Sequence, residues 1–173
     1  LSFGHIHLEK LGSGSAFTIM AAAKAPSSQQ GPAQHPASDA DDYCAICATV
    51  HLISSSFLAD APLLREIFRD SIEELTAVDY SEAQQEAWAS TADDVGDFTA
   101  KLSGRLTLVA TLEGSPVGFA SLEGKDKIDM LYVHPAATGQ GVGAMLVDAL
   151  EKLAGGRGVT TLAVDASDSA RGF

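Results

Sequence analysis

The chain has 173 residues, which is enough for one domain with its own core, or for one domain and an appendage. Hydrophobic residues make up 46% and charged residues 20%, and no apolar run approaches the ~18 residues of a membrane span, so we predict a soluble protein that does not contact membranes. The formal net charge of -12 disfavours nucleic acid as a partner, because such a surface repels phosphate backbones, and it favours a cationic amine.

Residues 1–48 are predicted to form a low-complexity or poorly ordered extension. Residues 27–42 are rich in Ser, Gln, Pro and Asp and show no apolar periodicity. Two cysteines cannot form a disulfide framework, and no signal sequence is recognisable, so we expect a cytoplasmic protein. The chain begins at Leu1 and not at Met, so we expect residues to precede it.

The extension and the residues after it contain side chains that can bind metals. They are Cys44, Cys47, His51, His5, His7 and His35. A single C-x-x-C without a second pair is a weak signal. A metal site, a redox pair and chance cysteines therefore stay open, and no metal ligand is assigned.

Residues 49–173 are predicted to form the folded domain. Val50 and Leu52 alternate as in a first strand. An amphipathic helix is predicted over residues 61–76, with Asp60 as its N-cap. A second helix is predicted over residues 81–89.

Three antiparallel strands and a helix are predicted next. Alternating apolar residues indicate a hairpin over residues 106–112 and 117–122. The strand at residues 128–133 is almost wholly apolar, so it is predicted to be central and covered on both faces. A glycine-rich loop then leads into a helix that ends at Gly155 and Gly156. A strand at residues 160–164 and a last helix capped by Ser167 or Asp168 complete the order.

The glycine-rich loop carries the main chemical signal. Gly139, Gly141 and Gly143 directly precede a helix, and this arrangement leaves backbone N–H groups free around a concavity that suits a diphosphate. An ATP or GTP P-loop is excluded, since no Gly-Lys-Ser/Thr follows. A dinucleotide fingerprint stays as a weaker alternative, because residues 134–138 separate the strand from the first glycine. A tight turn without any ligand is the structural alternative.

Residues 130–135 and 138–144 resemble the central strand and the Q/R-x-x-G-x-G/A loop of the GNAT acetyltransferase superfamily. The resemblance covers residues 50–173, and residues 80–88 are further similar to bacterial-type members. It implies an α/β (α+β) fold with a mixed, mostly antiparallel central sheet flanked by helices. It also implies a chain truncated at its C-terminus, without the last strands, so that the sheet exposes an unpaired edge and the fragment itself is expected to be inactive.

The resemblance implies an acetyl-CoA-dependent N-acetyltransferase that acts on a primary amine of a small molecule or peptide. A non-catalytic acyl-CoA-binding or regulatory module is the alternative, and a homodimer is left open. The implied cofactor-binding residues are Leu131, Tyr132, Val133, Thr138, Gly139, Gln140, Gly141, Val142, Gly143 and Ala144. Thr138 departs from the usual Gln or Arg and shortens the side chain that would help to hold the diphosphate.

Catalysis by such an enzyme needs a group that takes a proton from the amine. In many relatives a Glu occupies the position of Lys127, which cannot serve as a carboxylate base. Asp129 is the proposed base, with a surface or edge carboxylate paired to Lys127 as the alternative. Tyr132 and His134 are candidate relay groups, with a structural role as the alternative for each. Tyr80 and Trp88 are proposed to line the acceptor site, with core packing as the alternative. The usual acid, a Tyr on the last helix, is expected beyond Phe173.

Overall fold

The computed structural model of the chain describes residues 4–9, 48–52 and 61–170, with side chains for 48–51 and 61–170. The helices are α1 (Ala61–Leu75), α2 (Glu82–Ala89), α3 (Val95–Ser103) and α4 (Val142–Gly156). The strands are β1 (Gly4–Glu9), β2 (Ala48–Leu52), β3 (Leu106–Leu112), β4 (Ser115–Glu123), β5 (Lys127–Val133) and β6 (Thr161–Ala166).

The described strands form one six-stranded sheet in the order β1-β6-β5-β4-β3-β2. All neighbours are antiparallel except β5 and β6, which run parallel. The parallel pair follows from the connection, since α4 crosses over one face of the sheet between the two strands. A mixed, mostly antiparallel sheet flanked by helices confirms the predicted fold class.

Helices cover both faces of the sheet, and each face has its own core. On one face, side chains of α1 and α3 such as Ile72 and Phe98 pack on Val109 and Phe119. On the other face, α4 buries Leu146 and Leu150, among others, against β3, β4 and β5. The loops at the carboxyl end of β5 therefore lie where the two helical layers meet the sheet.

The structure differs from the predicted elements at three places. Strand β1, which lies in the predicted extension, pairs with β6 from Gly4 opposite Ala166 to Glu9 opposite Thr161, so the edge expected to be unpaired is covered. Helix α3 was not predicted. In place of the predicted last helix, the described residues after β6 form a single 3-10 turn, Asp168–Ala170.

None of the described helices is long and apolar enough to cross a membrane. Cys44, Cys47 and His35 lie outside the described residues. Within the described part of the chain, no group of three His, Cys, Asp or Glu side chains could hold a metal ion.

Candidate functional site

The two parallel strands part soon after they meet. β5 pairs with β4 along its whole length, but its pairing with β6 covers only Lys127 opposite Ala163 and Ile128 opposite Val164. We call the gap between residues 129–133 of β5 and the end of β6 the slot. Along the slot, among the described residues, no strand pairs with the β6 side of β5, so its backbone N–H and C=O groups can bind an extended ligand.

The slot explains why β5 is less buried than its sequence predicts. The first half of β5 contains the buried Ile128 and Met130. Leu131, Tyr132 and Val133, at its end, are all partly exposed. The prediction of a central strand is therefore confirmed by the sheet order, whereas the prediction of complete burial is wrong for these last three residues.

Asp129 lies at the point where β5 and β6 separate. The register with β4 passes from Met130 opposite Ser121 to Ile128 opposite Leu122, so Asp129 is an extra residue on β5, as in a β-bulge. A bulge bends its strand and increases the local twist. The bulge therefore coincides with the start of the slot.

The loop after β5 turns sharply into α4. A 3-10 turn, Pro135–Ala137, is followed by Gly139 and Gly141, whose φ angles are +75° and +81°. Only glycine adopts this left-handed region without strain, which is the reason for its presence at both positions. A Cβ at either position would have no atom within 4 Å, so the loop surface there is open.

Free amides converge at this end of α4. Gly141 is the N-cap, so the N–H groups of Val142, Gly143 and Ala144 have no acceptor within the helix. The helix dipole adds a partial positive charge, and the first turn contains no acidic side chain. The arrangement suits an anion such as a diphosphate, directly beyond the slot.

The polar side chains of the loop bind the loop itself. The Thr138 hydroxyl donates to the Pro135 carbonyl over 2.7 Å, and the Gln140 amide donates to the Ala136 carbonyl over 3.0 Å. Both side chains hold the shape of the turn in this structure. A ligand here would thus be held mainly by backbone amides.

A charged cluster lies on the α3 side of the sheet, where β5 and β6 are still paired and the slot begins. It consists of Arg105, Glu123, Lys127, Asp129 and Asp165. Arg105 donates to Asp129 and, over 3.0 Å, to Glu123. Lys127 contacts Asp165 at 3.0 Å, and this hydrogen bond and ion pair raise the pKa of its ammonium, which therefore stays cationic.

The partner of Asp129 is not the one considered from the sequence. Asp129 pairs with Arg105, while Lys127 pairs with Asp165 and, at 3.9 Å, with Glu123. Protonation of either carboxylate oxygen of Asp129 would remove its negative charge and so weaken this ion pair. Its role as a base stays a prediction.

An aromatic row extends from β5 to the segment after β6. Its members are Tyr132, Trp88 and Tyr80, with ring centroids 6.5 Å and 5.8 Å apart in that order. Trp88 is partly exposed and also packs on the core below α1. Tyr80 is buried, and its hydroxyl accepts from the Asp168 N–H over 3.0 Å.

The phenol of Tyr132 stays protonated. The residue as a whole is partly exposed, but its phenol group is desolvated, which raises the pKa of Tyr132 far above the usual value, and the neighbouring Trp88 side chain offsets this only in part. A phenol remains protonated and neutral at pH values below its pKa, so Tyr132 cannot act as a base at neutral pH. Its O–H can still donate a hydrogen bond.

His134 has both ring nitrogens engaged. Nδ1 accepts from the Ala136 N–H at 3.1 Å, and Nε2 lies 3.4 Å from the Asp70 carboxylate. The Ser71 hydroxyl of α1 also donates to the Val133 carbonyl over 2.7 Å. This bond and the His134–Asp70 contact fix the end of β5 to α1. These contacts give His134 a role in positioning the loop.

Three residues of the site were missed from the sequence. They are Arg105, Asp165 as a partner of Lys127, and Asp168 as a partner of Tyr80. Each of them meets a partner far away in sequence. No local pattern could indicate these pairs, although Asp165 does stand at the end of a predicted strand.

The chain is similar to known proteins in sequence and in structure. The model of the acetyltransferase (GNAT) family matches residues 64–173. A solved structure named as a GCN5-related N-acetyltransferase: aminotransferase, class-II, from Rhodopseudomonas palustris, is 60% identical, with a TM-score of 0.69 over 72% of this chain and 76% of that one. No curated protein matches the chain significantly.

Two less similar structures share the fold. The PaiA N-acetyltransferase of Thermoplasma acidophilum, solved with coenzyme A, is 22% identical, with a TM-score of 0.54 over 65% of this chain and 74% of that one. An aminoglycoside acetyltransferase from an uncultured soil metagenomic sample is 19% identical, with a TM-score of 0.50 over 70% and 80%. At these identities the likeness concerns the fold alone.

Proposed function

The chain belongs to the acetyltransferase (GNAT) family, and from this premise we propose that it transfers the acetyl group of acetyl-CoA to a primary amine of a small molecule or peptide. The observation that carries the proposal is the slot beside β5, which leads directly to the free amides at the start of α4. The free edge of β5 fits an extended, amide-bearing arm of a ligand. The amides at the start of α4, which follow this edge, fit the ligand's diphosphate.

We assign the parts of acetyl-CoA to these two features. Backbone groups of Leu131, Tyr132 and Val133 are proposed to pair with the pantetheine arm. The diphosphate is proposed to bind the amides of residues 139–144. This assignment needs no lysine or arginine, in agreement with a loop that has none.

The acceptor is proposed to enter on the α1 and α2 side, beside the aromatic row. Trp88 is partly exposed there and offers a ring face to a cationic amine, with the buried Tyr80 behind it. The net charge of -12 favours the approach of such a substrate.

Asp129 is proposed to accept the proton of the bound ammonium, directly or through water. An alkyl amine with a pKa of ~10 must lose this proton before it can attack, at a cost of roughly 4 kcal/mol at neutral pH. The neutral nitrogen then forms the bond to the thioester carbonyl carbon, the C–S bond breaks, and the proton that nitrogen releases goes to the thiolate. Tyr132, which stays protonated, is proposed to orient the reacting groups through its O–H.

The alternative function, a non-catalytic acyl-CoA-binding or regulatory module, is favoured by two features of the charged cluster. Arg105 already binds the carboxylate of Asp129, and Lys127 occupies a position where many relatives have a Glu. Such a module would bind acetyl-CoA at the same place but would not acetylate an amine.

The binding assignment can be tested with two glycine variants. Gly141→Ala is expected to weaken acetyl-CoA binding about tenfold, because a Cβ would hold the diphosphate away from the amides and disturb the helix start. Titration calorimetry measures this dissociation constant. Gly158→Ala is the matched control, since Gly158 has a φ of +83° and equally open surroundings but lies after α4.

Both glycine variants are expected to lose a similar amount of stability, about 1 kcal/mol, from the left-handed backbone alone. The control is expected to bind acetyl-CoA as tightly as the unaltered chain. Equal affinity in all three proteins would remove the glycine loop from the proposed site.

A further inference from the structure

The separation of β5 and β6 needs a physical cause. Parallel neighbours gain a backbone hydrogen bond for each further residue that pairs, and β6 continues as a strand to Ala166. Pairing nevertheless stops at Ile128 opposite Val164. The bulge at Asp129 explains where the strands part, but it does not explain what keeps the end of β6 away from β5.

The aromatic row spans the gap on the α2 side. The Tyr132 ring stands on β5, and Trp88 lies between it and Tyr80. Trp88 and Tyr132 meet edge to face, with an interplanar angle of 66°, so ring packing connects Trp88 to β5. Two rings therefore stand between β5 and the segment after β6.

Two hydrogen bonds fix the segment after β6 to the turn that carries Tyr80. The Asp168 N–H donates to the Tyr80 hydroxyl over 3.0 Å, and the Ser169 hydroxyl donates to the Asp79 carboxylate over 2.6 Å. The turn is itself anchored, because the N–H groups of Asp79 and Tyr80 both bind the Thr76 carbonyl at 3.0 Å. The segment that follows β6 is therefore fixed to the turn after α1, which is not part of the sheet.

We propose that Tyr80 and Trp88 are positioning residues that hold the end of β6 away from β5 and thereby set the width of the slot. Trp88 acts as the spacer against Tyr132, and the Tyr80 hydroxyl binds the backbone after β6. The inference rests on the proposed function in one respect, since the slot is taken as the site of the pantetheine arm. Without the spacer and the bond, the two strands pair further and close the slot.

The first test removes one hydroxyl. Tyr80→Phe keeps the ring but loses the bond to the Asp168 N–H, and it is expected to raise the dissociation constant of acetyl-CoA about threefold. Thr107→Val is the control, because it also removes a buried side-chain bond, from the Thr107 hydroxyl to the Leu102 carbonyl at 2.7 Å, on β3, which β4 separates from β5. The control is expected to bind acetyl-CoA with unchanged affinity.

The second test reads the strands directly. In Trp88→Leu, hydrogen–deuterium exchange of a peptide that covers residues 129–133 is expected to slow, because newly paired amides are protected. If the ring only stabilised the core, its loss would speed this exchange. Acetyl-CoA affinity of the same variant is expected to fall about tenfold.

The outcomes separate this inference from the proposed function. Failure of the unaltered chain to bind acetyl-CoA would overturn the function, while slower exchange in Trp88→Leu would still support the spacer. Unchanged affinity in Tyr80→Phe with unchanged or faster exchange in Trp88→Leu would overturn the spacer. An equal loss of affinity in Thr107→Val would also overturn it.

Discussion

Phe119→Ala is expected to lower the free energy of unfolding by about 4 kcal/mol. Phe119 is fully buried at the middle of β4, with its ring centroid 6.2 Å from that of Phe98 and 5.6 Å from that of Tyr132. The substitution removes the apolar ring and leaves a cavity between the sheet and the helices, and a site flanked by two strands has little freedom to collapse.

Urea denaturation followed by circular dichroism measures this loss. Leu63→Ala is the control, since Leu63 is a large apolar residue of α1 with 44% of its surface exposed, and its loss is expected to cost less than about 1 kcal/mol. A cost at Phe119 as small as that at Leu63 would contradict the described core.

Asp129→Asn is expected to lower the rate of acetyl transfer on the order of 10³-fold, while acetyl-CoA affinity stays the same. The amide has nearly the shape of the carboxylate but cannot accept the proton of the bound ammonium. Asp129 was chosen because it is the bulge residue at which the slot begins. Steady-state kinetics at saturating acetyl-CoA measure the rate.

Glu123→Gln is the matched control for Asp129→Asn. Glu123 binds the same guanidinium of Arg105, but it is half exposed and lies at the end of β4. Its substitution also breaks an ion pair and is expected to change the rate less than about twofold. A similar loss of rate in both variants would mean that Arg105 must be neutralised, not that Asp129 accepts a proton. Full activity of Asp129→Asn would remove Asp129 from catalysis.

The sequence predicts well those elements whose apolar pattern is strong. The first helix was expected over residues 61–76 and is α1, Ala61–Leu75. The hairpin of β3 and β4 and the second helix were also expected within a few residues of their bounds. Each has a clear period or a clear break, such as the turn at Glu113 and Gly114, so local information was sufficient.

Helix α3 was missed because its local signal is weak. Its apolar face consists of Phe98 and Leu102, and Gly96 lies in its first turn. The N-cap Asp94 accepts from the Asp97 N–H at 2.9 Å, but an isolated Asp before a short apolar pair also fits a loop. Packing against α1 and β3 stabilises this helix, and such packing is not visible in a local window.

The partner of Asp129 was missed for a different reason. A strict two-residue alternation places Lys127 and Asp129 on one face, but the bulge at Asp129 changes the geometry between them. Arg105, at the other side of β4, then reaches Asp129. The bond from Asp168 to Tyr80 joins residues 88 positions apart and had no local signal either.

The most direct test of the proposed function is the product of the reaction. The chain is incubated with acetyl-CoA and a panel of primary amines, small molecules and peptides, and each amine is examined by mass spectrometry while free thiol is measured. We expect at least one acetylated amine, formed in an amount equal to the thiol released. Binding of acetyl-CoA with no acetylated amine from any member of a broad panel would contradict the enzyme and favour the non-catalytic acyl-CoA-binding module.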